Sequence, residues 1–444
     1  MNRKLFVLLS ALVLASLVLS ACGSPATEAP MVETEAPVMT EAPVATEPSM
    51  PAEETVVIGF TSSLTGSQEV SSKRQVAGFN LWMQQVNDAG GIKLSDGTVV
   101  KFASQTYDDE SNKERVQELY TRLITEDNAD FLISPYSSGL TAAASIVAEQ
   151  NGKIMITAGA AEDDAYKTGN TSLFQLYTPG SLYLISTVDM LKTLDPEAKV
   201  AIVHENDKFS TAVVEGLKPY LESQGFEVVL EEGYASDTTD FGPVINKLVE
   251  SGATVLLGGG HYPDGSTFTR QLFERKAGLK FISLLVAPAD SKFSELGDAA
   301  VGVATSSQWE LSATHTQEEA AVLGKEWYGP SGADFAAAYE AATGEKPSYH
   351  VAGGYMAGLV LQKAIEAADS IDPEKVRAAL EAMDIFTFWG GVKFDTTPEA
   401  HGLQVGHAMV VAQWQKNEAG ELVRQVVWPA DVAIVPPLYP IPAP

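Results

Sequence analysis

FLISPYSSGLTAAASIVAEQNGKIMITAGAA, residues Phe131–Ala161, decides the fold. Phe131-Leu132-Ile133 is a continuous apolar run, the pattern of a parallel strand buried on both faces. Pro135 to Gly139 break that pattern, and from Thr141 an alanine-rich helix runs to about Gln150. Lys153–Thr157 is the next strand, ending in the small-residue turn Ala158-Gly159-Ala160-Ala161. Two neighbouring strands thus each deliver a polar or glycine-rich loop at their carboxyl ends, the rim where open α/β sheets bind ligands. Ser137 and Ser138 stand just before the helix, where hydroxyls and free N–H groups can hold an anion such as a carboxylate. An ordinary helix cap that binds nothing explains the same residues.

The same pattern extends in both directions. Val56–Phe60 is a buried strand followed by the polar loop Thr61–Gly66. A helix carries Ala77, Leu81, Met83 and Val86 and stops at Asn87–Gly91, a C-cap and turn signal. Strand Thr98–Tyr107 and helix Glu114–Glu126 follow. Successive strand–helix units predict an α/β fold with a parallel, doubly wound sheet. Tyr177-Thr178-Pro179-Gly180 interrupts, and the alternation restarts with strands at Lys199–His204, Glu227–Glu232, Thr254–Leu257 and Lys280–Leu285. The helices between them are expected at Leu182–Leu194, Thr211–Gln224, Phe241–Glu250 and Ser266–Ala277. Phe335–Ala342 and Tyr349–Ala368 read as further helices, Gly391–Phe394 and His407–Trp414 as strands, and the proline-rich tail 429–444 as irregular. Two such runs joined by a Pro-Gly crossover imply two similar lobes.

The N-terminus reads as an address. Arg3 and Lys4 precede the apolar run Leu5–Leu19, too short for a comfortable span, and small residues end it. Leu19-Ser20-Ala21-Cys22 resembles the lipobox of bacterial lipoproteins, which implies a signal peptide over 1–21, cleavage before Cys22 and acylation there. Residues 22–54 then form a tether: TEAP recurs at Thr27, Thr34 and Thr40, with neither lysine, arginine nor an aromatic after Cys22. Such a segment cannot bury enough apolar surface to fold. Cys22 is the only cysteine, so no intrachain disulfide can form. The formal net charge of -29, from 58 acidic and 29 basic residues, argues against nucleic acid as a partner.

Several stretches together resemble one family: VIGFTSSLTG at Val57–Gly66, VNDAGGI at Val86–Ile92, Tyr107-Asp108-Asp109, TDFGPVINKL at Thr239–Leu248 and AYEAATG at Ala338–Gly344. The resemblance is to type I periplasmic binding proteins, specifically the branched-chain amino acid (leucine/isoleucine/valine) receptors of ABC importers. It covers about Thr55 to Trp414. It implies two Rossmann-like lobes with parallel central sheets, joined by a three-strand hinge, with the ligand in the cleft. The chain would cross near Tyr177–Gly180, Gln308–Leu311 and Ala368–Pro373. Lobe one would be 55–178 plus 311–368, and lobe two 179–310 plus 369–428. No catalysis, cofactor or metal is expected. The partners it implies are a small-molecule ligand, an ABC permease and, through the lipid, the membrane; a monomer is expected.

The resemblance also carries site residues. Ser138 matches a serine that binds the ligand's α-carboxylate, and Gly159 a small residue whose carbonyl takes the α-ammonium. Ala161 stands where the family has threonine, and Phe209 where it has tyrosine, so two hydroxyls are missing. The loop GGGHYPD, Gly258–Asp264, offers His261 or Tyr262 as an aromatic wall. The family's acid that pairs with the ammonium falls near Ala287, and the next carboxylate is Asp290. Either Asp290 or Asp264 substitutes, or the ligand is not a standard α-amino acid, because a buried ammonium without a carboxylate is costly.

Other chemistry finds little support. Gly258–Gly260 gives neither a dinucleotide fingerprint nor a P-loop, and no GxSxG elbow occurs. His204 and Glu205 have no second histidine near them in sequence. Asp108-Asp109 reads as a turn or cap, since adjacent strand-end side chains point apart. Trp309 and Trp389 fit either a core or a cleft. A lipoprotein hydrolase and a sensor for a membrane kinase stay open as other roles.

Overall fold

The computed structural model describes residues 52–443; the signal, Cys22 and most of the tether lie outside them. Two sheets organise the chain. The first holds β1 (Glu53–Ser62), β2 (Ile92–Lys93), β3 (Val99–Asp108), β4 (Phe131–Ile133), β5 (Met155–Thr157) and β6 (Leu173–Gln175), in the order β2-β3-β1-β4-β5-β6. All neighbours are parallel except β2 and β3. The second holds β7 (Lys199–Glu205), β8 (Glu227–Tyr234), β9 (Val255–Gly259), β10 (Phe281–Leu284) and β11 (Val303–Ser307) in parallel. A small third sheet joins β12 (Glu326–Trp327), β13 (Asp384–Thr387) and β14 (Gly390–Lys393). The antiparallel pair β15 (Val410–Lys416) and β16 (Leu422–Trp428) then closes the edge of the second sheet beside β11. The inner strands are short apolar runs because both faces are covered by helices.

The helices are α1 (Glu69–Asp88), α2 (Lys113–Thr125), α3 (Ser138–Gln150), α4 (Ile185–Leu194), α5 (Lys208–Ser223), α6 (Gly242–Glu250), α7 (Tyr262–Glu274), α8 (Gln317–Val322), α9 (Gly332–Thr343), α10 (Tyr349–Ala368) and α11 (Pro373–Glu381). Among the described residues none is long and apolar enough to cross a membrane. Helices α1 and α10 cross at close range because glycines line the contact. A Cβ at Gly354 would lie 1.8 Å from the Gln75 carbonyl, and one at Gly78 1.8 Å from that of Val351. That approach sets Gln75, whose Nε2 donates to the Ser134 carbonyl at 2.8 Å beneath the end of β4.

Three differences from the sequence reading matter. Helix α3 begins at Ser138 rather than Thr141, with Ser137 as its cap. Helix α7 begins at Tyr262, so Asp264 sits in a first helical turn rather than a loop. The third crossing is not near Ala368–Pro373. Residues 369–406 stay beside the first sheet: β13 pairs with β12, Gln175 N donates to the Gly402 carbonyl at 2.8 Å, and Trp389 Nε1 donates to that of Leu176 at 3.3 Å. The chain returns to the second sheet around His407. There the three crossings are tied together: Thr178 N donates to Gln308 Oε1 at 3.0 Å, and His407 Nε2 lies 2.9 Å from the Gln308 carbonyl. Trp389 stacks between Tyr177 and His407, and Trp309 packs on Phe335 and Phe388, so both tryptophans are core. Asp109 accepts from Thr61, Ser63 and the Ser111 N–H, tying the turn after β3 to the end of β1. The tail has no regular element, but it folds back on the second sheet, where Ile441 N donates to the Lys280 carbonyl at 2.9 Å.

Candidate functional site

Each sheet has a central strand on either side of which the strand order reverses: β1 lies between β3 and β4, and β7 between β8 and β9. A crevice opens at the carboxyl ends of such strands. The two crevices face one another. The loops after β4 and β5 meet the loops after β7, β9 and β10 around one small cavity. Tyr136, Ser137, Ser138, Gly159, Ala161, Tyr177 and Tyr349 line it from the first side. Tyr183, Phe209, His261 and Val286 line it from the second. The sides meet closely: Tyr183 and Tyr349 share a 3.2 Å hydroxyl contact, and Tyr136 lies edge-on to His261 at 6.0 Å. What remains between them holds about one water molecule.

The first side is built from backbone and hydroxyls. Ser137 has φ +89°, a conformation other residues than glycine rarely adopt. Its N–H donates to the Gly159 carbonyl at 3.0 Å, and its Oγ accepts from Leu140 N at 3.3 Å. Ser138 and Gly139, first in α3, have N–H groups with no intrahelical carbonyl to bond. Ser138 Oγ accepts from the N–H groups of Ala161 and Glu162 at 3.2 and 3.3 Å. Its lone pairs are thus engaged, and its proton remains for an acceptor in the cavity. Gly159 has no room for a side chain: a Cβ would lie 2.1 Å from Gln75 Oε1 and 2.8 Å from the Tyr136 ring. His350 stacks on Tyr349 behind this wall. Burial pushes its pKa down to about 3, assisted by the Arg74 and His261 charges, so it stays neutral.

The second side is charged behind an aromatic face. His261, buried at the start of α7, sets Nε2 3.0 Å from Oδ2 of Asp207, the cap of α5. Burial opposes the charged imidazole. The bond to Asp207 and the charges of Asp207, Glu205 and Asp264 outweigh it and hold the His261 pKa at about 9. For Asp207 burial is again opposed by His261, and its pKa falls to about 2. Burial raises Glu205 to about 7, although the His261 charge lowers it. Asp264 is also raised by burial and accepts from the Tyr234 hydroxyl. Glu205, Asp207 and His261 bring donor atoms within 4.8 Å of one another, a spacing that would suit a cation. The imidazolium already supplies a positive charge at that place.

Of the residues singled out from sequence, Ser138, Gly159, Ala161, Phe209 and His261 meet at the cavity. Tyr262, Asp264 and Asp290 do not line it. Tyr262, the first residue of α7, is half-buried and outside the lining. Asp264 sits one layer back, close to Glu205 around Gly260. Asp290 Oδ2 lies 3.5 Å from Arg74 Nε of the first side, and its Oδ1 accepts from Lys292 N at 2.9 Å. Ala287 packs against α7 rather than the cavity: a Cβ at Gly265 would lie 2.7 Å from its own Cβ. Tyr136, Tyr183, Tyr349, Glu205 and Asp207 were not among the expected residues. Tyr136 alone had a local signal, lying beside Ser137.

Facing crevices on two mainly parallel sheets, with the chain crossing three times, give a two-lobed fold with one cavity between the lobes. A family model described as periplasmic binding protein matches residues 55–420. The chain belongs to that family. It is 26% identical over 392 residues to a Leu/Ile/Val-binding protein homolog 8 of Brucella abortus, covering 85% of this chain and 92% of that one. Its fold is similar to that of the LivJ substrate-binding protein of Streptococcus pneumoniae in complex with isoleucine: TM-score 0.68, 20% identity, 85% of this chain and 100% of that one. A solute-binding protein of R. palustris in complex with 4-hydroxybenzoate gives TM-score 0.70 and 19% identity over 84% of this chain and 96% of that one.

Proposed function

We propose that this protein is an extracytoplasmic receptor of an ABC importer, anchored by lipid at Cys22. It takes an amino acid or a related small carboxylate between its lobes and delivers it to a permease in the membrane. The lobes would be residues 55–178 with 311–406, and 179–310 with 407–443, hinged where Thr178, Gln308 and His407 are tied together. The observation that carries this reading is Ser138: a buried hydroxyl with its proton free, at a helix start with two free N–H groups, facing aromatic walls. A carboxylate there gains charge-assisted hydrogen bonds of about 1.5–3 kcal/mol each. Relatives named for leucine, isoleucine and valine, and a fold shared with receptors holding isoleucine or 4-hydroxybenzoate, support a carboxylate with an apolar or aromatic body.

Thermal shift across amino acids, aromatic acids and 2-oxo acids tests the reading. The best ligand should lose about tenfold or more in affinity with Ser138→Ala, roughly 1.4 kcal/mol. Binding of uncharged sugars alone, with Ser138→Ala silent, would refute it. Cys22→Ser should release the protein from membranes; a variant that loses its signal yet stays bound would remove the anchor from the proposal.

A further inference from the structure

The second side of the cavity bears on what the carboxylate can carry. A ligand ammonium needs a carboxylate or several carbonyl oxygens to replace its water. No carboxylate lines the cavity. Asp207 is engaged by His261 and Asp264 by Tyr234, while Asp290, 3.5 Å from Arg74, and Glu205 lie outside the lining. The Gly159 carbonyl already accepts from Ser137 N. The basic group that does face the cavity is His261, bonded through Nε2 to Asp207, with Nδ1 buried and without a protein partner. Such a group is a spare donor in a water-poor space. Around it stand Asp207 at the start of α5, Glu205 at the end of β7, Asp264 on α7 and Tyr136 from the first side.

We propose that His261 makes this receptor selective for carboxylates without an amino group: its unpartnered Nδ1–H can donate to an anion and offers an ammonium no acceptor. This rests on the carboxylate reading above and narrows it. The Asp207 bond, and the acids behind it, keep the imidazole charged up to about pH 9. The ligand class is therefore a monocarboxylate whose body is apolar or aromatic. His261 acts as the discriminating group, while Ser138 and the start of α3 hold the carboxylate.

Titration calorimetry on the wild-type protein with matched pairs tests this: L-phenylalanine against 3-phenylpropionate, and L-leucine against 4-methylpentanoate. The member without the amino group should bind about tenfold or more tighter in the preferred pair. His261→Gln, which leaves the Asp207 carboxylate bare beside the cavity, should shrink or invert that preference. If the variant does not fold, the wild-type pH profile replaces it. Affinity for 3-phenylpropionate or 4-methylpentanoate, which stay anionic throughout, should fall severalfold as pH rises through 9. Amino acids binding as tightly as their partners, or a flat profile, would overturn the selectivity while leaving the carboxylate site intact. Failure of every acid to bind would overturn both.

Discussion

The two walls of the cleft solve the same problem by different physics. The first wall is neutral. It is made of main-chain groups, hydroxyls and a glycine, held by the close crossing of α1 and α10. Its capacity for an anion comes from orientation. The second wall is a charge assembly, one imidazolium among three carboxylates, screened from the cavity by Phe209 and by the ring of His261 itself. Its capacity comes from the spare donor of a charged imidazole, and that charge can be titrated. The first wall should therefore be sensitive to small changes of shape, and the second to pH and to any substitution that alters the proton count.

The largest effect should come from breaking the second wall. Asp207→Asn leaves a buried imidazole without its partner and should cost about 3 kcal/mol at neutral pH, measured by urea unfolding. A change below about 1 kcal/mol would mean that solvent screens the pair. The wild-type pH profile should show a smaller effect. The folded pKa of His261, about 9, stands above its unfolded value near 6.5. Its contribution is therefore fully present below the unfolded value and is lost as pH rises through the folded one. That amounts to about 2 kcal/mol between pH 7 and 9. Glu205, raised to about 7, adds a loss of the same sign earlier, between its unfolded value and neutrality. Stability of Asp207→Asn should fall much less over the alkaline range. An equal fall in both proteins would assign the titration to other groups.

The first wall was the more legible in sequence, and the reason is local. Phe131–Ile133 and Met155–Thr157 are buried runs whose next residues are the site, so finding the strands found the loops. Even there the start of α3 was misplaced, because Pro135 to Gly139 look like loop while Ser137 takes a left-handed φ that starts the helix early. The second wall was read only in part. His261 and Phe209 lay in recognisable loops. The partnership of His261 with Asp207 links residues 54 positions apart, at the ends of two neighbouring strands. Asp264 and Asp290 were singled out because an ammonium would need an acid, but Tyr234 and Arg74 hold them outside the cavity. The third crossing was misplaced for a related reason. Ala368 ends a helix visibly, yet nothing nearby announces that the chain from α11 through the small sheet strands β13 and β14 stays beside the first sheet before it leaves.

The account requires both walls to act on one ligand, and the space now between them holds only about one water molecule. Entry of a carboxylate therefore requires the lobes to part, and binding must bring them together. Small-angle scattering on the protein, with and without the tightest-binding carboxylate at saturation, measures this directly. The account predicts a smaller radius of gyration with ligand. An unchanged radius, with binding confirmed in the same sample by calorimetry, would contradict it and place the ligand on one lobe alone.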